Sequence, residues 1–595
     1  MEKTRGDGAL VVAGLLTLAA LAAYLPVLLG GGFIWDDDLQ VVGNLLLRSP
    51  GGLADIWTKV GPGAGGTPQY YPLSFSAFWL QYQLWGLEPR AYHLVNVLLH
   101  ALDAFLLWRV LRRLELPGAG WAAALFAVHP VNAESVAWVI ELKNVLSAAF
   151  YLAALDALLR YAGIGPGVPE RRRDFAAAFA LFALALAAKT STVVLPGTFL
   201  VLLWWKRGSL EARDWRTAAP LFALAAAAGA VTTFVETGSV GASGAEWSLS
   251  WGERAVVAGR ALWFYAGKLA WPAGLTLIYP RWDPSAGGAA AWLWPASALA
   301  LPAALWAARE RLGRGPTAAA LIFGGSLLPV LGFVNVYFMR YSFVADHFQY
   351  LAAPALLAAF AAGVARLPAP AARAVGAALV LVLGGLTARR GAAYAGAAAS
   401  WADNLRTNPG SWLAHNNLGA ILNDEGRAAE ALAHFVETTR LNPAYAEGWN
   451  NLGLALLRLG RPAEAEPPLL EALRLRPGFA DANHNLGAAL AARGRHAEAV
   501  ARYEAAVAAA PGMAQAWSNL GASLAALGRH DDALARYREA VRRDPALPEA
   551  HFNLGLALAR RGERALAAER FEEALRLRPA YDEARRSLEL ARRGR

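Results

Sequence analysis

The sequence predicts an all-α protein in two parts: a polytopic bundle of about eleven membrane helices, then a superhelix of stacked helical hairpins. Three observations carry this. Up to about residue 395, runs of roughly 15 to 20 Ala, Leu, Val, Phe and Trp alternate with short basic clusters, as helices crossing a bilayer require. Beyond that point the chain turns charged and Ala-rich, with helical periodicity. A period of 34 residues then recurs, with Asn-Leu-Gly starting at Asn417, Asn451, Asn485, Asn519 and Asn553. The break places a membrane domain at 1–395, with a first outer loop at 31–92, and a repeat domain at 396–595.

Composition excludes several classes. The net charge of +10 is mostly Arg flanking apolar runs, where it sets topology, and no basic stripe with interleaved aromatics suggests nucleic acid. With no cysteine there is neither disulfide nor thiolate metal site. Only six lysines occur, at 3, 59, 143, 189, 206 and 268, so one near the outer face stands out.

Taken in order, Lys3 and Arg5 hold the N-terminus in the cytoplasm, and the run 9–29 crosses as a retained helix. Phe33-Ile34-Trp35-Asp36-Asp37-Asp38 then emerges outside. Aromatics between Tyr70 and Trp85 predict an interfacial helix. Further spans are expected at 93–110, 118–131 and 145–161. The run 176–205 has basic clusters at both ends and Lys189 in the middle, so it goes up and returns, turning at Lys189-Thr190-Ser191-Thr192. A lysine buried there costs on the order of 3 kcal/mol and calls for an anionic partner. A span at 218–235 follows, then a re-entrant or interfacial helix at 255–270, and spans at 290–308, 317–337, 349–365 and 372–388. The polar loop 335–349 holds Arg340, Asp346 and His347. An odd total leaves the repeats extracytoplasmic, in a multi-pass protein of a bacterial-type inner membrane.

The repeats resemble the tetratricopeptide repeat: Ala recurs at 431, 465, 499, 533 and 567, a large apolar slot at 435, 469, 503, 537 and 571, and Pro closes each unit. Five repeats at about 412–579 and a cap helix at 580–595 are expected. Such repeats stack into a superhelix with a concave face. A ladder of Asn417, Asn451, Asn485, Asn519 and Asn553 inside that groove offers donors and acceptors to an extended peptide backbone. It is similar to the ladder that holds acceptor peptides in the nucleocytoplasmic O-linked N-acetylglucosamine transferase. A recurring structural Asn is the plain alternative.

Together, the residues Phe33 to Asp37 with Asn44, Tyr71-Pro72-Leu73, Trp85-Gly86-Leu87, Tyr92-His93-Leu94-Val95-Asn96 with His100, His129-Pro130-Val131 with Glu134, Lys189 to Pro196, and Ala345 to Leu351 resemble the GT-C membrane glycosyltransferases. Their order is most similar to the transmembrane and tetratricopeptide-repeat protein O-mannosyltransferases and bacterial relatives. Where that pattern has Arg-Tyr, this chain has His347-Phe348.

The resemblance implies transfer of a mannose-like sugar from a polyprenyl-phosphate donor, held in the membrane, to an extracytoplasmic protein Ser or Thr hydroxyl. Such transfer needs a base for the acceptor and positive charge for the leaving phosphate. Asp36 and Asp37 are the candidate base and helper, and adjacent carboxylates raise one another's pKa. The trio with Asp38 could instead bind a divalent cation, or simply start a helix. Lys189 leads as phosphate ligand, followed by Arg340, Lys143, Lys268 and His347. His93, Asn96 and His100 share one helix face and either line the cavity or bond between helices. His129 and Glu134 orient the Asp cluster or form a structural pair. The rival reading is a non-enzymatic membrane anchor whose repeats gather partners for envelope assembly.

Overall fold

The computed structural model describes residues 2–61, 65–67, 69–165, 172–240 and 247–593, and Arg171 of the expected cytoplasmic cluster lies outside them. Among the described residues every regular element is helical. The chain divides into two compact units, Met1–Pro409 and Gly410–Arg595. The division falls past the change in composition near 395 because the helix Ala397–Thr407 packs into the first unit. There the Asn404 and Asn408 side chains both donate to the Ile278 carbonyl, at 3.0 and 3.1 Å.

In the first unit, five helices among the described residues are long and apolar enough to cross a membrane: Pro89–Arg113, Val139–Tyr161, Ala212–Gly238, Gly288–Ala307 and Ala369–Tyr394. Each coincides with a run expected from the sequence. Four more apolar helices are shorter, Gly8–Ala23, Ala119–Val128, Gly315–Val330 and Ala353–Val364. The reasons are local. The first run breaks at Tyr24, ahead of a short helix with Pro26 in its first turn, where proline is tolerated. The helix after Gly118 stops at His129, because Pro130 disfavours helical backbone in the residue before it.

The run around Lys189 does break there. Helix Arg172–Ala188 ends, Lys189 is extended with φ −161°, and a short turn leads into Leu195–Arg207. At the basic end of the bundle, Asp156 collects Arg109, Arg113 and Arg160 at 3.0, 2.7 and 3.0 Å. The pairing ties helix Pro89–Arg113 to helix Leu142–Tyr161 and neutralises a carboxylate that burial would otherwise penalise.

The second unit is five antiparallel helix pairs, from Trp412–Asp424 with Ala428–Leu441 to Pro548–Arg560 with Arg564–Leu577, followed by the helix Asp582–Arg593. The Asn-Leu-Gly signature has a packing cause. A Cβ at Gly453 would lie 2.5 Å from Leu469, at Gly487 2.7 Å from Tyr503, and at Gly521 2.7 Å from Tyr537. The glycine thus lets the first helix approach the large apolar residue of the second. Between the helices, Gly426, Gly460, Gly494, Gly528 and Gly562 take φ of +70° to +82°, which closes the turn without Cβ strain.

Candidate active site

The acidic stretch is shaped by one strained residue. Trp35 has φ +42°, left-handed backbone that a bulky side chain rarely adopts. Its ring is held by stacking on Trp138 (centroids 5.4 Å, planes 10° apart) and by edge contacts with Tyr341 and Trp401. From Asp36 the chain is helical, so successive side chains rotate by about 100° and the three neighbouring aspartates point in different directions. Asp36, half-buried, faces a cavity of about 1150 Å³. Asp37 is fully buried and faces inward: its oxygens accept the Ile34 N–H at 2.9 Å and the Ile140 N–H at 2.8 Å. Asp38 is exposed and begins the short π-helical turn Asp38–Val42. The trio therefore does not converge on one point, and among the described residues no group of three or more His, Asp or Glu is arranged to hold a metal ion.

Asp36 shares this cavity with three basic residues. Lys143, Lys189 and His347 line it together with Glu141, Glu236 and a broad apolar face. Glu141, 1% exposed, lies between the two lysines, 3.0 Å from Lys143 and 3.3 Å from Lys189. Asn144 completes the frame: its amide donates to Glu141 at 2.6 Å, and its carbonyl accepts from Lys189 at 2.6 Å. Two ammonium groups share the Glu141 carboxylate, while the second carboxylate of the wall, Glu236, accepts from the Gln69 amide at 3.1 Å. A buried lysine held this way needs no snorkelling to water.

Burial raises the Asp36 pKa above the usual carboxylate range; Lys143 and His347 pull it down, and Glu141 pushes it up. Burial likewise pushes Asp37 up, against the two backbone N–H bonds that favour its charged form.

His347 is placed by Glu134, which accepts from the His347 backbone N–H at 3.2 Å and meets its Nδ1 at 2.9 Å. Glu134 therefore positions His347 and not the aspartates. His129 bonds the Leu269 carbonyl through Nε2 at 3.1 Å and caps the following turn through Nδ1. Of the helix-face trio, Asn96 donates to the Trp138 and Val139 carbonyls at 3.3 and 3.4 Å. His100 pairs with the Tyr350 hydroxyl at 2.6 Å and the Ala127 carbonyl at 3.1 Å. His93 packs against Gly31, where a Cβ would meet its ring at 2.6 Å. All three are buried, and none lines the cavity. Lys268 caps its own helix by donating to the Ala273 and Gly274 carbonyls, 2.6 and 3.2 Å away, and Arg340 is half-buried; neither is part of the cavity wall.

In the second unit the signature asparagines bond from repeat to repeat. Asn451 donates to Asn416 at 3.0 Å, Asn485 to Asn450 at 2.9 Å, and Asn553 to Ser518 at 3.0 Å. Asn417 and Asn519 accept from Asn416 and Gln515, at 3.0 and 3.1 Å.

The roles of two residues, Glu141 and Trp35, have no signal in the sequence. Glu141 carried no signal, since a lone Glu inside an apolar run looks like one more polar interruption. Trp35 was in view only as part of the acidic motif; its left-handed backbone has no sequence signature outside Gly, Asn or Asp.

Tetratricopeptide-repeat family models match residues 424–480, 450–514 and 548–581, and a TPR repeat model matches 523–562. Among curated proteins, protein O-mannosyl-transferase F38B6.6 of Caenorhabditis elegans is 32% identical over 166 residues, 26% of this chain and 24% of that protein. Protein O-mannosyl-transferase Tmtc1 of Drosophila melanogaster is 35% identical over 159 residues, 25% and 18% of the two chains. Human protein O-mannosyl-transferase TMTC2 is 32% identical over 149 residues, 24% and 18%. The resemblance to transmembrane and tetratricopeptide-repeat O-mannosyltransferases is thus borne out, over matches that span about a quarter or less of those relatives. Among solved structures, MamA (residues 41 to end) of Desulfovibrio magneticus RS-1 is 28% identical over 29% of this chain and 97% of its own, with a TM-score of 0.26. TTC0263, a thermophilic TPR protein of Thermus thermophilus, is 22% identical over 30% and 98%, with a TM-score of 0.28.

Proposed function

We propose that this protein is a membrane glycosyltransferase of GT-C type that moves a mannose-like sugar from a polyprenyl phosphate to a protein Ser or Thr hydroxyl outside the cytoplasm. The observation that carries the reading is one cavity lined by Asp36, Lys143, Lys189 and His347, residues far apart along the chain. Asp36 is the base: it faces the cavity, and burial makes it more basic than an ordinary aspartate. Asp37 is a positioning residue, tying the acidic loop to the segment that leads into Glu141.

In transfer, the acceptor hydroxyl gives its proton to Asp36 as its oxygen attacks the anomeric carbon. The bond from that carbon to the phosphate oxygen breaks, and the electron pair leaves with the phosphate. Lys189 and Lys143 neutralise the charge growing there. Glu141 keeps both ammonium groups aimed into the cavity, and His347, held by Glu134, adds a donor. The apolar face of the cavity suits the first isoprene units of the donor. Protein partners fit the repeats, whose signature asparagines retain part of their hydrogen-bonding capacity for an extended peptide. The wall of orienting groups favours an enzyme over a bare scaffold.

The test is transfer by the purified protein from a mannosyl polyprenyl phosphate to a Ser/Thr peptide. Wild type transfers, and Asp36→Asn loses about 10²- to 10⁴-fold in kcat, the span attributed to general-base catalysis. Transfer surviving in Asp36→Asn removes the assignment, and a wild type that never consumes the donor leaves the scaffold reading.

A further inference from the structure

We propose that the basic end of the first unit holds an anionic glycerophospholipid, one acyl chain inside the bundle and its phosphate between Arg314 and Arg366. The observation is a second cavity of about 400 Å³, within the roughly 300–1,000 Å³ range of built ligand sites. Its body is aliphatic, with Leu107, Leu111, Leu155, Leu202, Ala358 and Ala362 on its walls. Apart from the two arginines, its hydroxyl groups are already bonded: Tyr151 donates to Thr198 at 2.8 Å, and Tyr350 donates to Asp103, which lies outside the lining, at 2.7 Å. A polar ligand body would find little to bond, and a hydrocarbon chain would.

The two cavities lie toward opposite ends of the same two helices. Along Leu195–Arg207 the first takes Gly197, Thr198 and Val201, and the second takes Thr198, Leu202 and Trp205. Along Gly315–Leu327 the first takes Leu321, Ile322 and Gly325, and the second begins at Gly315 and ends at Ile322. Thr198 and Ile322 form the shared wall, so the second cavity opens away from the transfer site. Its lining reaches Leu116, Pro117, Trp205, Gly313 and Gly363, at the end that the charge rule assigns to the cytoplasm.

The charges at that end decide the headgroup. Among the described residues, Arg314 and Arg366 are the only charged ones in the cavity lining. Nearby cations already have partners: Arg113 has Asp156, Arg207 has Asp214, and Lys206 has the Leu114 carbonyl. Among the described residues, no carboxylate pairs with Arg314 or Arg366. Arg366 is exposed and Arg314 half-buried, so both reach headgroup depth. Basic pockets between membrane helices on this side suit phosphate headgroups.

The experiment is native mass spectrometry of the full-length protein in mild detergent, titrated with phosphatidylglycerol, phosphatidylcholine or polyprenyl phosphate. Wild type should retain one phosphatidylglycerol and release phosphatidylcholine. Arg314→Ala with Arg366→Ala should weaken retention about tenfold or more, as loss of two such charges implies. Ala358→Phe, which fills the cavity and leaves both arginines, should abolish it. The proposal is overturned if the arginine variant retains phosphatidylglycerol like wild type, if phosphatidylcholine is held equally, or if polyprenyl phosphate alone is retained. No activity is measured, so the result is independent of the transfer assignment.

Discussion

Adjacent aspartates, alike as letters, diverge in role because they hold successive positions of one helical turn, about 100° apart. Asp37 accepts two backbone N–H bonds in a buried setting, and replacing one oxygen with an amide NH₂ turns an acceptor into a donor facing a donor. Asp37→Asn should therefore destabilise the fold by about 1–3 kcal/mol, seen as a lower thermal midpoint. Asp36→Asn should leave that midpoint nearly unchanged while abolishing transfer. Because only ionised Asp36 accepts a proton and its pKa is raised, kcat should fall with decreasing pH through a midpoint above the ordinary carboxylate range. A pH-rate profile whose acid limb sits at or below the normal aspartate pKa would argue against Asp36 as base. Lys189→Met should raise KM for the lipid donor and lower kcat, because the lost charge serves both the bound and the departing phosphate.

The turns and helix pairs turn single residues into spacing. Where Lys189 breaks an apolar run into two helices, it is carried to the cavity wall beside Lys143, which comes from the start of another helix. In the repeats the same logic makes the glycine of each Asn-Leu-Gly a clearance for the neighbouring helix. Gly453→Ala would place a methyl group 2.5 Å from Leu469, and overpacking of this kind costs about 1–3 kcal/mol. Chemical denaturation of the full chain followed by far-UV circular dichroism should show an earlier loss of helix for Gly453→Ala. Gly460→Ala should also destabilise, through its φ of +70° and not through contact, since nothing lies within 4 Å of its Cβ position.

For the whole molecule, stability should depend on pH through Asp346. This buried carboxyl accepts the Tyr279 hydroxyl at 2.9 Å, and burial pushes its pKa up to about 8, with Glu134 raising it and Arg390 opposing. A folded-state pKa above the unfolded one means its stabilising contribution is complete below the unfolded value and is lost as pH rises toward about 8. The thermal midpoint of the wild type should accordingly decline between about pH 4 and 8, and Asp346→Asn should flatten that decline. Division of labour between the units is testable as well. Removing 410–595 should leave transfer to short peptides intact and reduce transfer to folded protein acceptors; equal loss of both would make the repeats part of the transfer site.

Periodicity alone identifies the helices, the apolar runs and the five repeats, because these follow from local hydrophobic spacing and from turn chemistry at Gly and Pro. The scarcity of lysine and the resemblance to GT-C glycosyltransferases bring forward Asp36, Lys143, Lys189 and His347 as chemistry-bearing residues. Which of the candidates share a cavity is a long-range matter. His93, Asn96 and His100 lie on one helix face, as the i, i+3, i+7 spacing requires, yet that face packs against other helices and not against the cavity. Lys268 folds back onto its own helix end, and Asp37 turns inward. Spacing along a helix says which side chains lie together, but what lies opposite depends on contacts between segments more than a hundred residues apart. The pairing of Glu141 with Lys189, 48 residues on, and the left-handed backbone of Trp35, its ring stacked on Trp138, exist only once the chain has packed.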